Sequence, residues 1–386
     1  MPDDIAAGLL EQYRSSFDQA PIGVFMAPGR VNLIGEHVDY NRGICLPIAL
    51  PHATYAALAP REDDRVHIVS RQEPEPWSGR IDGLGPGQVE GWAAYVAGVA
   101  WALREDGLDL PGVDILVDST VPVAAGLSSS AAVECSVAIG LCAVAGHEVD
   151  DTMRRRLVAA CVRAETEVAG APTGGMDQTV ALFARRDNAL LLDCRDGSTD
   201  HVGWDPAAHD LVLLVVDTRA THSHRDGGYE SRRRDCEQAA RTLGVESLRE
   251  VDDTETALAS LPDARVRRRA RHVLTEMTRV DQAVEQLERE DYASLGQTFT
   301  DSHASLRDDF EVSCPELDVA VATAMQHGAL GARMTGGGFG GSAIALIPSG
   351  RCEQAGEAIT AVFGSRGWKD PRFLLAEPSD AAHRLR

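Results

Sequence analysis

The stretch 28–41 places charged and polar side chains among glycine and aliphatic residues, and it constrains the fold more than any other part of the sequence. It reads Pro-Gly-Arg-Val-Asn-Leu-Ile-Gly-Glu-His-Val-Asp-Tyr-Asn and contains Arg30, Asn32, Glu36, His37 and Asp39. A buried segment tolerates two carboxylates, a guanidinium and an imidazole only where these groups serve one another or a ligand. The two acids and the histidine would offer acceptors and donors to a neutral polyol. A structural group of ion pairs at a domain boundary is the alternative interpretation.

The size and composition indicate a globular protein with two domains. The chain has 386 residues, of which 44% are apolar, and this length exceeds what one hydrophobic core usually supports. We expect an N-terminal domain over 1–205 and a C-terminal domain over 206–386. No stretch approaches the roughly 20 apolar residues of a membrane span, and the N-terminus lacks the basic start of a signal peptide. We therefore expect a cytoplasmic protein that does not bind a membrane.

The charged residues and the cysteines narrow the range of partners and cofactors. A formal net charge of -22 would repel the phosphates of a nucleic acid, and nothing in the sequence implies an obligate protein partner. The eight cysteines contain no Cys-x-x-Cys pair, which favours reduced thiols over a zinc site. Lys369 is the only lysine, and there is no Walker A motif. Phosphate chemistry in this chain would therefore depend on arginine, backbone amides, a helix dipole or a metal ion.

A second segment predicts a phosphate-binding helix start. Residues 121–134 read Val-Pro-Val-Ala-Ala-Gly-Leu-Ser-Ser-Ser-Ala-Ala-Val-Glu, and we expect a helix of small residues to continue from there to about Ala145. The start of such a helix presents free backbone N–H groups, the positive end of the dipole and three hydroxyl groups. An ordinary serine N-cap on a buried helix is the alternative.

Three further segments carry unusual residues, and the apolar spacing between them predicts helices and strands. The segment 334–342 is rich in glycine, which allows a close approach of the backbone but would also suit a hinge. The segments 174–178 and 228–237 contain Asp177 and Tyr229 respectively, and for Tyr229 a place in the hydrophobic core is the alternative.

The spacing of apolar residues predicts the secondary structure. The expected strands cover 22–27, 45–58, 65–70, 113–117, 189–194, 211–217 and 343–347, a loop covers 73–91, and the expected helices cover 92–103, 153–169, 229–243 and 265–288.

These five segments, in their order along the chain from residue 28 to residue 342, resemble those of the galactokinases. The galactokinases belong to the superfamily named for galactokinase, homoserine kinase, mevalonate kinase and phosphomevalonate kinase (GHMP). The resemblance implies an α+β fold of two domains, with mixed sheets and helices and the active site in the cleft between them. It also implies transfer of a phosphoryl group from ATP to the anomeric hydroxyl of galactose, with Mg²⁺ as cofactor. The sequence departs from the family at Val38, Ala124 and Ser342, where threonine, glycine and cysteine respectively are common. It also departs at Thr173 and Gly175, where the family commonly has cysteine and isoleucine.

The resemblance also assigns roles to individual residues. Asp177 would accept the proton of the hydroxyl group, and Arg30 would stabilise the transition state. Since a carboxylate paired with arginine is a weak base, a purely orienting role for Asp177 stays open. Magnesium would be held by Ser130 and Glu165. Galactose would be held by Glu36, His37, Asp39, Gly174 and Tyr229, and ATP by Ser70, Ala124, Ala125, Gly126, Leu127, Ser128, Ser129 and Ser130.

Two other functions remain possible from the sequence. A related kinase could phosphorylate N-acetylgalactosamine, arabinose or another sugar, because the phosphate chemistry would be the same. A regulator could bind galactose and ATP without turnover, as some members of this family do. The intact run Ser-Ser-Ser-Ala-Ala over 128–132 favours the enzyme, since members that lose activity show changes in this loop.

Overall fold

The computed structural model describes residues 2–123, 125–220 and 225–386, which form two sheets covered by helices. The α-helices are α1 (Pro2–Phe17), α2 (Ala93–Glu105), α3 (Ser129–Val144), α4 (Asp151–Arg163), α5 (Met176–Phe183), α6 (Arg225–Leu243), α7 (Thr254–Ser260), α8 (Ala264–Glu288), α9 (Tyr292–Ser305), α10 (Pro315–Gln326) and α11 (Cys352–Ser365). The strands are β1 (Gly23–Ile34), β2 (Ile44–Pro60), β3 (Arg65–Ser70), β4 (Trp77–Arg80), β5 (Val113–Ser119), β6 (Asn188–Asp193), β7 (Ser198–Gly203), β8 (Leu211–Asp217), β9 (Gly331–Thr335), β10 (Ser342–Pro348), β11 (Arg372–Leu375) and β12 (His383–Arg384).

The long strands β1 and β2 of the first sheet are covered on both faces over most of their length, which explains their apolar character. Its strands run in the order β12-β1-β2-β5-β3-β4, and β6 and β7 extend it from β2. Side chains of a strand point alternately to opposite faces. Val24 and Met26 accordingly pack against α1, whereas Phe25 and Ala27 belong to the core formed with α2 and α3. Every residue of β1 is buried as a result.

The second sheet is antiparallel and follows the order β11-β8-β10-β9. Helices α9 and α10 pack on β9, and α8 packs against α9 and α6. The short strand β12 near the chain end pairs with β1, so the C-terminus returns to the first sheet. In the ranges given above, no helix is both long enough and apolar enough to span a bilayer.

Most of the predicted elements are present, but several boundaries differ. The strands predicted over 65–70 and 211–217 coincide with β3 and β8. The strand predicted over 22–27 continues to Ile34, so Arg30 and Asn32 lie inside a strand whose two faces are covered, whereas Glu36, His37 and Asp39 follow the strand. The strand predicted over 45–58 corresponds to β2, which runs continuously through Pro47 and Pro51, with register shifts in its pairing with β1.

The structure also contains elements that the sequence did not predict. The predicted loop over 73–91 contains β4, and the terminal helix α1 covers one face of the first sheet. The helix predicted over 153–169 is α4 followed by one π-helical turn over Ala164–Val168. The chain passes from the first sheet to the second between β7 and β8, and the domain boundary near residue 205 stays a prediction.

Candidate active site

One cavity of about 1170 Å³ brings together most of the residues singled out by the sequence. Ala125 is buried and does not line the cavity, and Ala124 is outside the residues that the structure describes. Gly174 is absent from the lining and lies against Asp39. The predicted residues that line the cavity are Arg30, Glu36, His37, Asp39, Ser70, Gly126, Leu127, Ser128, Ser129, Ser130, Glu165, Asp177 and Tyr229.

An ion pair between the buried Arg30 and the partly exposed Asp177 occupies the centre of the site. Arg30 lies in β1, and Asp177 lies in the first turn of α5, where the positive end of the helix dipole favours a carboxylate. The Nε and Nη2 groups of Arg30 each donate a 2.9 Å hydrogen bond to one oxygen of Asp177, and its Nη1 donates to the carbonyl of Gly126 at 2.6 Å. The hydroxyl of Ser128 also donates to Asp177. Arg30 therefore links the carboxylate directly to the predicted phosphate loop.

The turn after β1 contains two residues with positive φ angles, and one of them is not a glycine. Gly35 has φ +95°, and a Cβ at this position would lie 2.7 Å from the carbonyl oxygen of Ile44. His37 has φ +62°, a region that non-glycine residues enter only at a cost in energy. Its Nδ1 atom lies 3.1 Å from the hydroxyl of Tyr40, and its ring lies 5.6 Å from the ring of Tyr229. Burial, with smaller contributions from His272 and Arg232, lowers the pKa of His37 to about 3, so the imidazole is neutral.

Asp39 lies next to this turn and depends on glycine at position 174. A Cβ on Gly174 would lie 2.0 Å from the Oδ2 atom of Asp39, so no larger residue fits there without displacing the carboxylate. Burial and the negative charge of Asp177 raise the pKa of Asp39 to about 6. The site therefore holds this carboxylate in an environment that disfavours its charge, which is typical of carboxylates in binding or catalytic sites.

The glycine-rich segment after β9 joins the turn to the phosphate loop. The Oε1 atom of Glu36 accepts hydrogen bonds from the backbone N–H of Gly336 at 2.7 Å and from the hydroxyl of Thr335 at 3.0 Å. The hydroxyl of Ser342 donates to the carbonyl of Ala125 at 2.7 Å. The segment therefore packs against both binding regions and does not act as an isolated hinge.

The start of α3 has the geometry expected of a phosphate loop. Gly126 and Ser128 have φ angles of +75° and +59°, and the helix begins at Ser129, so the N–H groups of its first turn have no partner within the helix. Among the residues lining the cavity, the cationic side chains are Arg30, Arg233 and Arg234. The loop amides and the helix dipole would therefore supply much of the positive potential for a phosphate group.

Glu165 and Ser130 provide oxygen atoms of the kind that magnesium prefers. Gln178 donates from Nε2 to Glu165 at 2.5 Å and to the buried Glu134 at 3.0 Å. Burial and the nearby charge of Asp177 raise the pKa of Glu165 to about 7, while hydrogen bonds from Ser130 and Gln178 oppose this shift. The buried carboxylate of Glu165, with that of Asp177 nearby, fits a site that would bind a divalent cation. Within the described ranges, no group of three or more His, Cys, Asp and Glu side chains could hold a metal ion, so water and phosphate oxygens would have to supply the remaining ligands.

The sequence did not identify the polar residues behind the cavity wall. These residues include Gln178, which bridges two carboxylates, and Arg333, which is fully buried in β9. A lone arginine in an apolar strand is the same signal that drew attention to Arg30, and it would have indicated Arg333 as well. Glu276 gave no such signal, because α8 contains many charged residues on its exposed face.

Known proteins resemble this chain along its full length. The galactokinase galactose-binding signature matches residues 11–60, and the models of the GHMP kinase N-terminal and C-terminal domains match residues 94–185 and 283–365. The chain is 46% identical over 389 residues to the galactokinase of Streptomyces coelicolor, with all of both chains covered.

Solved structures agree with this similarity and confirm the expected two-domain α+β fold. The crystal structure of Lactococcus lactis galactokinase complexed with galactose has a TM-score of 0.93 at 29% identity, with 99% of this chain and 100% of that chain covered. A mevalonate kinase at 15% identity has a TM-score of 0.67, with 92% and 98% covered, and shows likeness in the fold alone.

Proposed function

The chain belongs to the galactokinase family of the GHMP kinases, and from this premise we infer that it transfers the γ-phosphoryl group of ATP to the anomeric hydroxyl of α-D-galactose, giving galactose 1-phosphate and ADP. The observation that carries this inference is the meeting of three regions in one cavity: the signature turn after β1, the Arg30–Asp177 pair and the serine loop at the start of α3. The turn would bind the sugar, the Arg30–Asp177 pair would act on its hydroxyl group and on the transferring phosphoryl group, and the serine loop would bind the phosphates of ATP. ATP is a cytoplasmic metabolite, and we propose that the protein acts there.

We propose that galactose lies against Glu36, His37, Asp39, Gly174 and Tyr229. The two carboxylates would accept hydrogen bonds from sugar hydroxyls, and the neutral imidazole of His37 can both donate and accept. One oxygen of Glu36 is already held by the glycine-rich segment, which fixes the orientation of this side chain. The ring of Tyr229 offers an apolar face to the sugar. The set favours a small neutral polyol over an anionic substrate.

Asp177 would receive the proton of the anomeric hydroxyl while Arg30 stabilises the negative charge that develops on the transferring group. Asp177 already accepts hydrogen bonds from Arg30 and Ser128, and these contacts stabilise its charged form. The proton would therefore move late, after the loose transition state has placed charge on the sugar oxygen. Electrostatic stabilisation by Arg30 is the larger expected contribution.

The nucleotide would place its phosphates on the loop over 124–130, with Ser70 near the nucleoside. Ser130 and Glu165 would hold Mg²⁺, which when bound neutralises charge on the phosphate oxygens. Because the cavity contains no lysine among its described lining residues, the loop amides and the lining arginines Arg30, Arg233 and Arg234 would carry the protein's share of this task. An intact serine loop and a complete Arg30–Asp177 pair favour an enzyme over a regulator that only binds these ligands.

A coupled assay of ADP release across galactose, glucose, N-acetylgalactosamine and arabinose tests the proposal. A buried acceptor that loses its hydroxyl partner can reduce efficiency by about 10⁴-fold, so we expect a strong preference for galactose over its C4 epimer glucose. Phosphorus NMR of the product should show phosphate on the anomeric carbon. Equal kcat/KM on galactose and glucose would contradict the substrate, phosphate at the sixth carbon would contradict the placement of Asp177, and binding without ADP release would indicate a regulator.

A further inference from the structure

The backbone of the signature turn is held by a buried glutamate from the other half of the chain. Glu276 lies in the middle of α8 and is fully buried. Its Oε1 atom accepts hydrogen bonds from the backbone N–H groups of Gly35 at 3.2 Å and of Glu36 at 3.4 Å, and from the hydroxyl of Ser302 at 2.7 Å. One carboxylate oxygen of the C-terminal half thus binds two consecutive amides of the turn that carries Glu36 and His37.

The negative charge of Glu276 is balanced by two arginines. Arg279 donates to its other oxygen, Oε2, at 2.7 Å, and Arg333 lies 3.7 Å from Oε1. Arg333 in turn donates to the carbonyl of Leu33 at 2.8 Å, so it also holds the end of β1. Burial opposes ionisation, but the neighbouring His272, Arg333 and Arg279 outweigh it and lower the pKa of Glu276 to about 2.

A histidine of the same helix holds the carbonyl group of the turn. The Nε2 atom of His272 lies 3.1 Å from the carbonyl oxygen of Glu36, and its Nδ1 atom lies 2.9 Å from the hydroxyl of Ser305. A carbonyl can only accept, so His272 donates from Nε2. Burial lowers the pKa of His272 to about 4, so the ring is neutral and its Nδ1 accepts from Ser305. Both backbone polar groups of Glu36 are therefore bound by side chains of α8.

External support of this kind is needed because the turn is unfavourable by itself. The positive φ of His37 costs energy for a residue with a Cβ, and such conformations persist only where the surroundings impose them. The side chains of Glu36 and His37 leave this turn toward the cavity. A shift of the backbone would move both side chains together, and sub-ångström placement decides how well several hydroxyls of one sugar are bound.

We propose that Glu276 is a positioning residue for galactose: its carboxylate fixes the Gly35–Glu36 backbone and so sets where Glu36 and His37 meet the sugar. This inference rests on the proposed galactose site. The competing explanation is that Glu276 only compensates the charge of the buried Arg333 and the partly buried Arg279. In that case its loss would reduce stability without a selective effect on the sugar.

The test compares Glu276→Gln with Arg279→Met. Glu276→Gln keeps the shape of the side chain but weakens the bonds to the two amides, whereas Arg279→Met removes the partner of the oxygen that does not contact the turn. We expect Glu276→Gln to raise the Kd and the KM for galactose by at least about tenfold, the scale of hydrogen bonds to a charged group. The KM for ATP should change less than twofold. Arg279→Met should lower the thermal midpoint with galactose affinity close to that of the wild type.

A double variant separates positioning from folding. In Glu276→Gln/Arg279→Met the new amide no longer faces the guanidinium of Arg279, its hydrogen-bonded partner, so the thermal midpoint should recover in part relative to Glu276→Gln while the galactose Kd stays high. Calorimetry with galactose alone and with ATP alone gives both affinities without turnover. Wild-type galactose affinity in Glu276→Gln, equal losses for both ligands, or the same galactose loss in Arg279→Met would overturn the inference. A wild-type protein that fails to phosphorylate galactose would instead refute the proposed function.

Discussion

Arg30→Lys tests whether the geometry of the guanidinium, in addition to its charge, is required for turnover. Arg30 makes three hydrogen bonds, two to Asp177 and one to the carbonyl of Gly126. These bonds leave from different nitrogens of one rigid plane. A lysine ammonium is a compact charge without this fork, so it cannot reproduce the bidentate contact while reaching the phosphate loop.

The expected loss of transition-state stabilisation follows from these three hydrogen bonds. Hydrogen bonds to charged groups contribute about 1.5–3 kcal/mol each, and removal of one preorganised donor from a developing charge typically costs about 2.7–4 kcal/mol. We expect Arg30→Lys to lose about 2–4 kcal/mol of transition-state stabilisation, which corresponds to a decrease in kcat of roughly 30- to 900-fold. Galactose affinity should change much less, since Arg30 contacts the carboxylate and the loop.

The measurement is kcat from coupled ADP release at saturating galactose and ATP, with calorimetry to confirm galactose binding. Arg186→Lys is a matched control, because Arg186 is exposed and pairs with Asp380 at the surface. This variant should retain wild-type kcat. A kcat within twofold of the wild type for Arg30→Lys would remove Arg30 from the mechanism.

Three further predictions concern the carboxylates of the site. Asp177→Ala should lower kcat by at least ~10²-fold, the scale of general-base catalysis, while calorimetry shows largely retained galactose binding; near-normal turnover would contradict the assigned role. Glu165→Gln should steeply raise the Mg²⁺ concentration needed for half-maximal activity, and an unchanged titration would assign Glu165 a structural role. Asp39 has a folded-state pKa of about 6, above its ordinary value of 3.8, so its ionisation destabilises the fold progressively as the pH rises from about 4 through 6. Asp39→Asn should therefore raise the thermal midpoint at pH 7 relative to the wild type, with the difference vanishing near pH 4, and should weaken galactose binding; equal midpoints at pH 7 would show that Asp39 is not destabilised by its surroundings.

The sequence determined the segments of this protein that carry chemistry. The run of charged residues in 28–41, the serine loop and the glycine-rich segment could each be recognised because their composition conflicts with an ordinary strand, helix or loop. Periodicity also located β3 and β8, since a half-buried or fully buried strand leaves a local pattern. Local patterns did not reveal α1 as the cover of one sheet face, because its partners lie far away in the sequence.

Only the tertiary structure decided which of these groups meet. Arg30 and Asp177 are 147 positions apart, and their bidentate contact depends on the packing of α5 against β1. Glu276 is 240 positions from Glu36, and its burial beneath the signature turn leaves no trace in the spacing of α8. Side-chain chemistry is encoded residue by residue, whereas hydrogen-bond geometry, burial and the resulting pKa shifts depend on neighbours that chain folding brings from distant positions. For this reason the sequence identified the chemical groups of the site, and the fold determined their partners and their charge states.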